Sequence, residues 1–194
     1  MRDKTANTRQ IILGTARSLF WKHGFRRVSV EEICESCEIS KMTFYRYFPN
    51  KIELAKTVFL TVIEESYSKF REITDSSASP EEKINSILLL KFEGTTDISE
   101  EFLNDFYSEN DSGLHDFVKS ATSDIWKKIV GDLKSAQRKG IFREDINFEF
   151  FFYLSQKIAG ILNDPEIIRL FESPRDMIME TARLLMYGIA PRKQ

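Results

Sequence analysis

Apolar residues recur at helical spacing along almost the whole chain. Ile12, Ala16, Leu19 and Phe20 predict a first helix from about Asn7 that stops at Gly24, and the polar residues 1–8 before it read as a loose arm. After Pro49, the broad stripe Ile52, Ala55, Phe59, Val62, Ile63, Tyr67, Phe70 and Ile73 predicts one long amphipathic helix, fading into the serine-rich run before Pro80. Further helices are expected from Pro80 to about Phe92, through Ile98, Phe102 and Phe106, and from Leu114 through Val118, Ala121, Ile125, Ile129 and Leu133 to near Gly140. Asn147 to Leu162 and Pro174 to Tyr187 complete the set. Phe148 to Tyr153 is an apolar run short enough for a strand, but Leu154, Ile158, Ile161 and Leu162 continue its helical period. The expected fold class is therefore all-α.

The segment from Val28 to Lys51 has a different grain. Ser29 and Glu32 have capping-box spacing, with Val28 and Ile33 placed as a hydrophobic staple. Ser40 offers a second cap, with Ile39 and Phe44 at staple spacing and Thr43 in place of the usual Glu or Gln. Cys37, Glu38 and Ile39 leave a turn of the length that helix-turn-helix units use. Pro49 ends the second short helix, and Asn50 with Glu53 repeats the cap spacing for the long helix. Within Ser40 to Phe48, Phe44 and Phe48 share one face and suit a core. The remaining positions, Lys41, Met42, Thr43, Tyr45, Arg46 and Tyr47, offer cations, hydroxyls and an apolar side chain suited to phosphates and base edges in a major groove.

Charge sharpens this reading. The chain of 194 residues has a formal net charge of −2, yet residues 1–51 sum to +5 and the remainder to −7. The positive end is the one that meets a polyanion.

The run from Ile12 to Leu54 resembles the DNA-binding domain of the TetR family of bacterial repressors. The matching residues are Ala16, Leu19, Phe20, Gly24, Phe25, Ser29, Val30, Ser40, Lys41, Tyr45, Tyr47, Phe48 and Lys51. Glu38 stands where the family usually has a turn glycine, which argues for a turn conformation that a non-glycine residue accepts, and Met42 stands where glycine is frequent. The resemblance implies an N-terminal three-helix DNA-binding domain, 1–51, and a C-terminal helical bundle for ligand binding and dimerisation, 52–194. It implies that Ser29 and its helix N-terminus clamp a phosphate, that Ser40, Tyr45, Tyr47 and Lys51 position the DNA backbone, and that Lys41, Met42, Thr43 and Arg46 are candidates for base edges. It also implies that the long helix starting at Lys51 is the lever through which an effector changes the separation of two reading heads.

Those expectations define a repressor bound as a homodimer to a palindromic operator on double-stranded DNA and released by a small, largely apolar effector. The alternative is a DNA-binding protein of the same fold controlled by a protein partner or acting architecturally. Phe59, Ile63, Tyr67, Phe92, Phe102, Phe106, Phe117 and Trp126 are candidates for the effector pocket, although aromatics at helical spacing equally build a core. The helix from Asn147 is apolar on two sides, which one core does not explain, so a partner subunit is expected on Phe148, Phe152, Ser155, Ala159 and Leu162 together with Ala182 and Leu185 of the last helix.

Other chemistry is thin. Cys34 and Cys37 lie toward the end of their helix, away from the dipole that lowers a thiol pKa, and read as small fillers. His23 and His115 are isolated, and no nucleophile-base pair, phosphate loop, metal cluster or cofactor motif marks an enzyme. No apolar run approaches a membrane span and the polar start has no signal-peptide stretch, so a cytoplasmic protein, nucleoid-associated when bound, is expected. On this reading, substituting Tyr45 or Lys51 weakens binding to every DNA sequence alike, whereas substituting Thr43 changes which sequence is preferred. Competition binding against a panel of sequences checks both.

Overall fold

The computed structural model describes residues 2–107, 113–161 and 164–191; within these, side chains are described except at 2–6, 107, 152, 155, 156 and 159–161. Every regular element among the described residues is a helix: α1 (Arg2–His23), α2 (Val30–Ser36), α3 (Lys41–Tyr47), α4 (Lys51–Asp75), α5 (Pro80–Gly94), α6 (Glu100–Tyr107), α7 (Leu114–Arg138), α8 (Phe148–Ile161), α9 (Pro165–Ile168) and α10 (Pro174–Ile189). The protein is all-α. Two details depart from expectation. α1 begins at Arg2 rather than near Asn7, because no proline or glycine interrupts residues 2–8. The short α9 starts at Pro165, with the Asp164 carboxylate accepting the Glu166 N–H at 2.9 Å, a cap signal legible in the chain but isolated from any long apolar stripe.

The chain divides into two compact units, Met1–Val62 with Asp97–Ser120, and Ile63–Thr96 with Ala121–Gln194. The first unit therefore contains more than the three-helix headpiece, taking in the first half of α4, all of α6 and the start of α7. The reason is aromatic packing. Trp21 of α1 meets Phe102 of α6 at 4.4 Å between ring centroids, Phe102 stacks on Phe106 at 4.5 Å, and Phe25 and Phe59 close on Phe106 at 6.3 and 6.2 Å. Ile12, Ala16, Phe20, Val28, Ile33, Phe44, Leu54 and Ala55 fill the rest of this core without solvent exposure.

A polar joint sits beside those rings. Gly24 ends α1 at φ +78°, and a Cβ there would lie 2.7 Å from the Asp105 carboxylate and 2.9 Å from Glu101 Cβ. Asp105 itself is buried, accepts the Arg26 N–H at 2.8 Å and faces the Arg26 guanidinium at 3.5 Å. The Ser99 N–H donates to the Trp21 carbonyl at 2.9 Å. α6 is thus fastened to the end of α1 by packing and by backbone donors together.

In the second unit, Ile84, Leu88, Leu133, Ile141, Phe142, Phe148, Phe151 and Ile189 make one core, with Trp126, Ala182, Leu185 and Met186 packed against it. Pro80 opens α5 behind a complete capping box between Ser79 and Glu82. Buried Lys83 donates to the Thr74 carbonyl at 3.0 Å, satisfying an acceptor in the last turn of α4. Gly140, at φ +74°, completes a Schellman ending for α7, with the Ile141 N–H on the Ala136 carbonyl and its own N–H on the Gln137 carbonyl. No helix among the described residues is long and apolar enough to cross a membrane.

Replacing Gly24 with alanine forces a side chain into left-handed backbone and into Asp105. The variant is expected to lose about 2–4 kcal/mol of stability in denaturant titration, whereas alanine at Gly14, where a Cβ would meet nothing within 4 Å, has no such clash.

Candidate nucleic-acid interface

The two short helices are built from their ends. Ser29 is extended, and its hydroxyl accepts the Glu32 N–H at 3.0 Å to open α2. After the three-residue turn 37–39, Ser40 repeats the device, accepting the Thr43 N–H at 3.1 Å to open α3. Asn50 caps α4 by accepting the Glu53 N–H at 2.9 Å. All three caps fall where the spacing placed them.

Between α2 and α3 the backbone forms a second Schellman motif. The Ile39 N–H bonds the Cys34 carbonyl at 3.0 Å and the Glu38 N–H bonds the Glu35 carbonyl at 3.1 Å. That motif requires a left-handed residue, and Glu38 supplies it at φ +54°. The expectation that Glu38 marks a turn comfortable for a non-glycine residue is therefore corrected: the backbone keeps the glycine-favouring conformation, and the glutamate accepts its steric cost.

α3 is anchored by Phe44, fully buried, and by Phe48, whose ring lies 6.1 Å from that of Phe44 and under the Arg9 guanidinium at 5.4 Å. The remaining side chains take different roles. Met42 is 83% exposed and Tyr45 52% exposed, the latter meeting Phe44 edge-on. Arg46 lies over the Tyr47 ring at 5.3 Å. Thr43 is half-buried and its hydroxyl shares a 3.0 Å hydrogen bond with that of Ser40, so it serves the cap. Lys41 is hydrogen-bonded to Glu31 at the start of α2; the pairing holds the carboxyl of Glu31 below its ordinary range and the ammonium of Lys41 above its own. Glu31 was not legible as a partner, since a separation of ten residues across a turn follows no helical period.

Lys51 needs the largest reassignment. Its ammonium donates to the carbonyls of Phe25 and Val28, both at 2.7 Å, and lies 3.3 Å from that of Arg26 and 4.4 Å from the centre of the Phe25 ring. Partial burial pushes its pKa down. This lysine stitches the start of α4 to the loop before α2.

The eight aromatic and aliphatic candidates for an effector pocket do not form one set. Phe59, Phe102, Phe106 and Phe117 belong to the first unit, where the first three are buried in the core and Phe117 meets Phe59 edge-on at 6.4 Å. In the second unit, Trp126 packs on the core, Tyr67 donates to Asp132 at 2.6 Å, and Phe92 is largely exposed beneath the Arg175 guanidinium at 3.6 Å; Ile63 is half-buried. Two surface depressions in that unit have other walls. One of about 370 Å³ is lined by Lys134, Gln137, Glu144, Asp145, Ile146, Asn147, Phe148 and Glu149. The other, about 110 Å³, is lined by Arg71, Thr74, Asp75, Asp132, Ser135, Ala136 and Lys139.

The dimer candidates are also redistributed. Phe148, Ala182 and Leu185 face the core of their own unit, because the buried stripe of α8 pairs Phe148 with Phe151. The side chains of Phe152, Ser155 and Ala159, and Leu162 altogether, lie outside the described residues. The exposed apolar positions are instead Phe150, Tyr153 and Leu154 on α8 and Leu184 and Tyr187 on α10. Cys34 is buried, with its thiol pKa pushed up by that burial, and Cys37 is half-buried; both are free thiols.

Capped short helices, a Schellman turn between them and a half-exposed second helix define a helix-turn-helix DNA reader in an all-α protein. Residues 12–58 match the model of the bacterial regulatory proteins of the tetR family. Those residues are similar to the DNA-binding domain of the tetR family, and the chain as a whole is similar to helix-turn-helix transcriptional regulators. It is 28% identical over 169 residues to the HTH-type transcriptional regulator UidR of Escherichia coli K12, covering 86% of this chain and 85% of that one. It is 20% identical over 146 residues, 73% of this chain and 72% of the other, to the HTH-type transcriptional repressor KstR2 of Mycobacterium tuberculosis. Among solved structures, the fatty acid degradation regulator FadR from Bacillus halodurans aligns with a TM-score of 0.68 at 15% identity, covering 95% of this chain and 97% of that one.

Replacing Lys51 with methionine removes a charged donor from a cluster of carbonyls. The variant is expected to be destabilised by about 2 kcal/mol, with the salt dependence of DNA binding unchanged at temperatures where it is folded; a lower salt slope at unchanged stability would restore Lys51 to the phosphate contacts.

Proposed function

We propose that this regulator is a homodimer that reads a palindromic operator with α3 of each subunit and leaves it when a small, largely apolar effector binds within 52–194. The observation that carries the DNA-reading part is the seven-residue α3, held by a cap and by buried Phe44, with Met42 and Tyr45 exposed on a headpiece of formal charge +5. One such helix reads only a few base pairs, so specificity favours two heads about 34–36 Å apart in successive major grooves. The exposed apolar residues of α8 and α10 support a self-association surface there, now centred on Phe150, Tyr153, Leu184 and Tyr187.

The effector class leans on relatives. The name of FadR refers to fatty acid degradation, and the solved structure of KstR2 is described as that of a ketosteroid transcriptional regulator. Both point to apolar chemistry. A second reading, control by a protein partner, draws support from the two polar surface depressions, which none of the eight pocket candidates lines.

Selection of genomic fragments by the purified protein is expected to return a palindrome, and affinity for it to fall about 10³-fold or more between 50 and 200 mM salt. Recovery of no preferred sequence would overturn the paired reader. Long-chain acyl and steroid compounds are then added to the complex: release supports the effector, and continued binding throughout shifts control to a protein partner.

A further inference from the structure

The chemistry of the α3 surface goes one step further than DNA reading in general. Four side chains of α3 were candidates for base edges, and three of them have protein partners. Lys41 is paired with Glu31, the Thr43 hydroxyl is bonded to the Ser40 cap, and Arg46 lies over the ring of Tyr47. Met42 stands apart. It is the second residue of α3, in the N-terminal turn that a recognition helix presents to base edges, and its 83% exposure is the largest of any exposed large hydrophobic residue described.

A thioether side chain has no donor and only a weak acceptor, so it cannot distinguish bases by hydrogen bonds. The major groove offers one apolar feature among the four standard bases, the C5-methyl of thymine. Burying that methyl against a flexible, polarisable side chain removes apolar surface of both partners from water. We infer that Met42 is a specificity-determining residue that selects thymine, by its methyl group, at one position in each operator half-site. The inference rests on the DNA-reading function proposed above.

The test uses the full-length protein and the best fragment from genomic selection, resynthesised with deoxyuridine in place of each thymidine in turn. Deoxyuridine keeps every base-pairing and major-groove hydrogen-bonding group and deletes only the methyl. Wild-type protein is expected to lose about fourfold in affinity per half-site at one symmetric position, the scale of one buried methyl. Met42→Ala and Met42→Gln are expected to bind the unmodified site more weakly by a similar factor, to be indifferent to deoxyuridine at that position, and to unfold at the wild-type midpoint because the residue is exposed. Wild-type indifference to every replacement overturns the assignment, as does a deoxyuridine penalty that persists undiminished in both variants. Failure of the wild type to prefer any sequence is a different result: it removes the DNA-reading proposal itself, and this inference falls with it.

Discussion

A helix of seven residues does not hold its shape in water, because nucleation costs more than so few hydrogen bonds return. Everything the headpiece presents to DNA therefore depends on burying Phe44, the one side chain of α3 with no solvent exposure. That burial sets the rotation of α3, and the rotation in turn puts Met42 and Tyr45 outward. The Ser40 cap fixes where the helix begins, and the Schellman turn at Glu38 fixes the angle at which it leaves α2. Small local terms of about 1 kcal/mol each decide the geometry of the reading surface once the core supplies the larger one.

The same core extends beyond the reading helices. Phe25, Phe102 and Phe106 bring α6 against the end of α1, and Gly24, Arg26 and Asp105 complete the joint where a side chain on residue 24 would not fit. Lys51 works in the same direction, holding the loop before α2 by three carbonyls. Its hydrogen bonds serve the fold.

Periodicity and partnership proved legible to different degrees. The caps at Ser29, Ser40 and Asn50 were readable because a cap is a relation among residues three apart, and the helices because a stripe repeats every three or four. Glu38 argued for a turn that a non-glycine residue accepts, and the two turn hydrogen bonds place it in left-handed backbone, which favours glycine but admits other residues at a cost. The aromatic candidates for a pocket were legible as apolar positions, but a period says that a residue is buried and not which core buries it. Phe59 and Phe102 share one core, whereas Trp126 belongs to another.

What the amino-acid order determined by itself is local: the helices, their caps, the length of the reading turn, the positive charge of the first 51 residues and the family they resemble. Tertiary structure decided which of the polar side chains were still available. Lys41 found Glu31, and Lys51 found the carbonyls of Phe25, Arg26 and Val28, partners ten and more than twenty positions away. It likewise turned Phe148 inward and left Phe150 and Tyr153 at the surface. The physical reason is that hydrogen bonds and burial are settled by distance in space, and only those between near neighbours in a helix or turn can be measured along the chain.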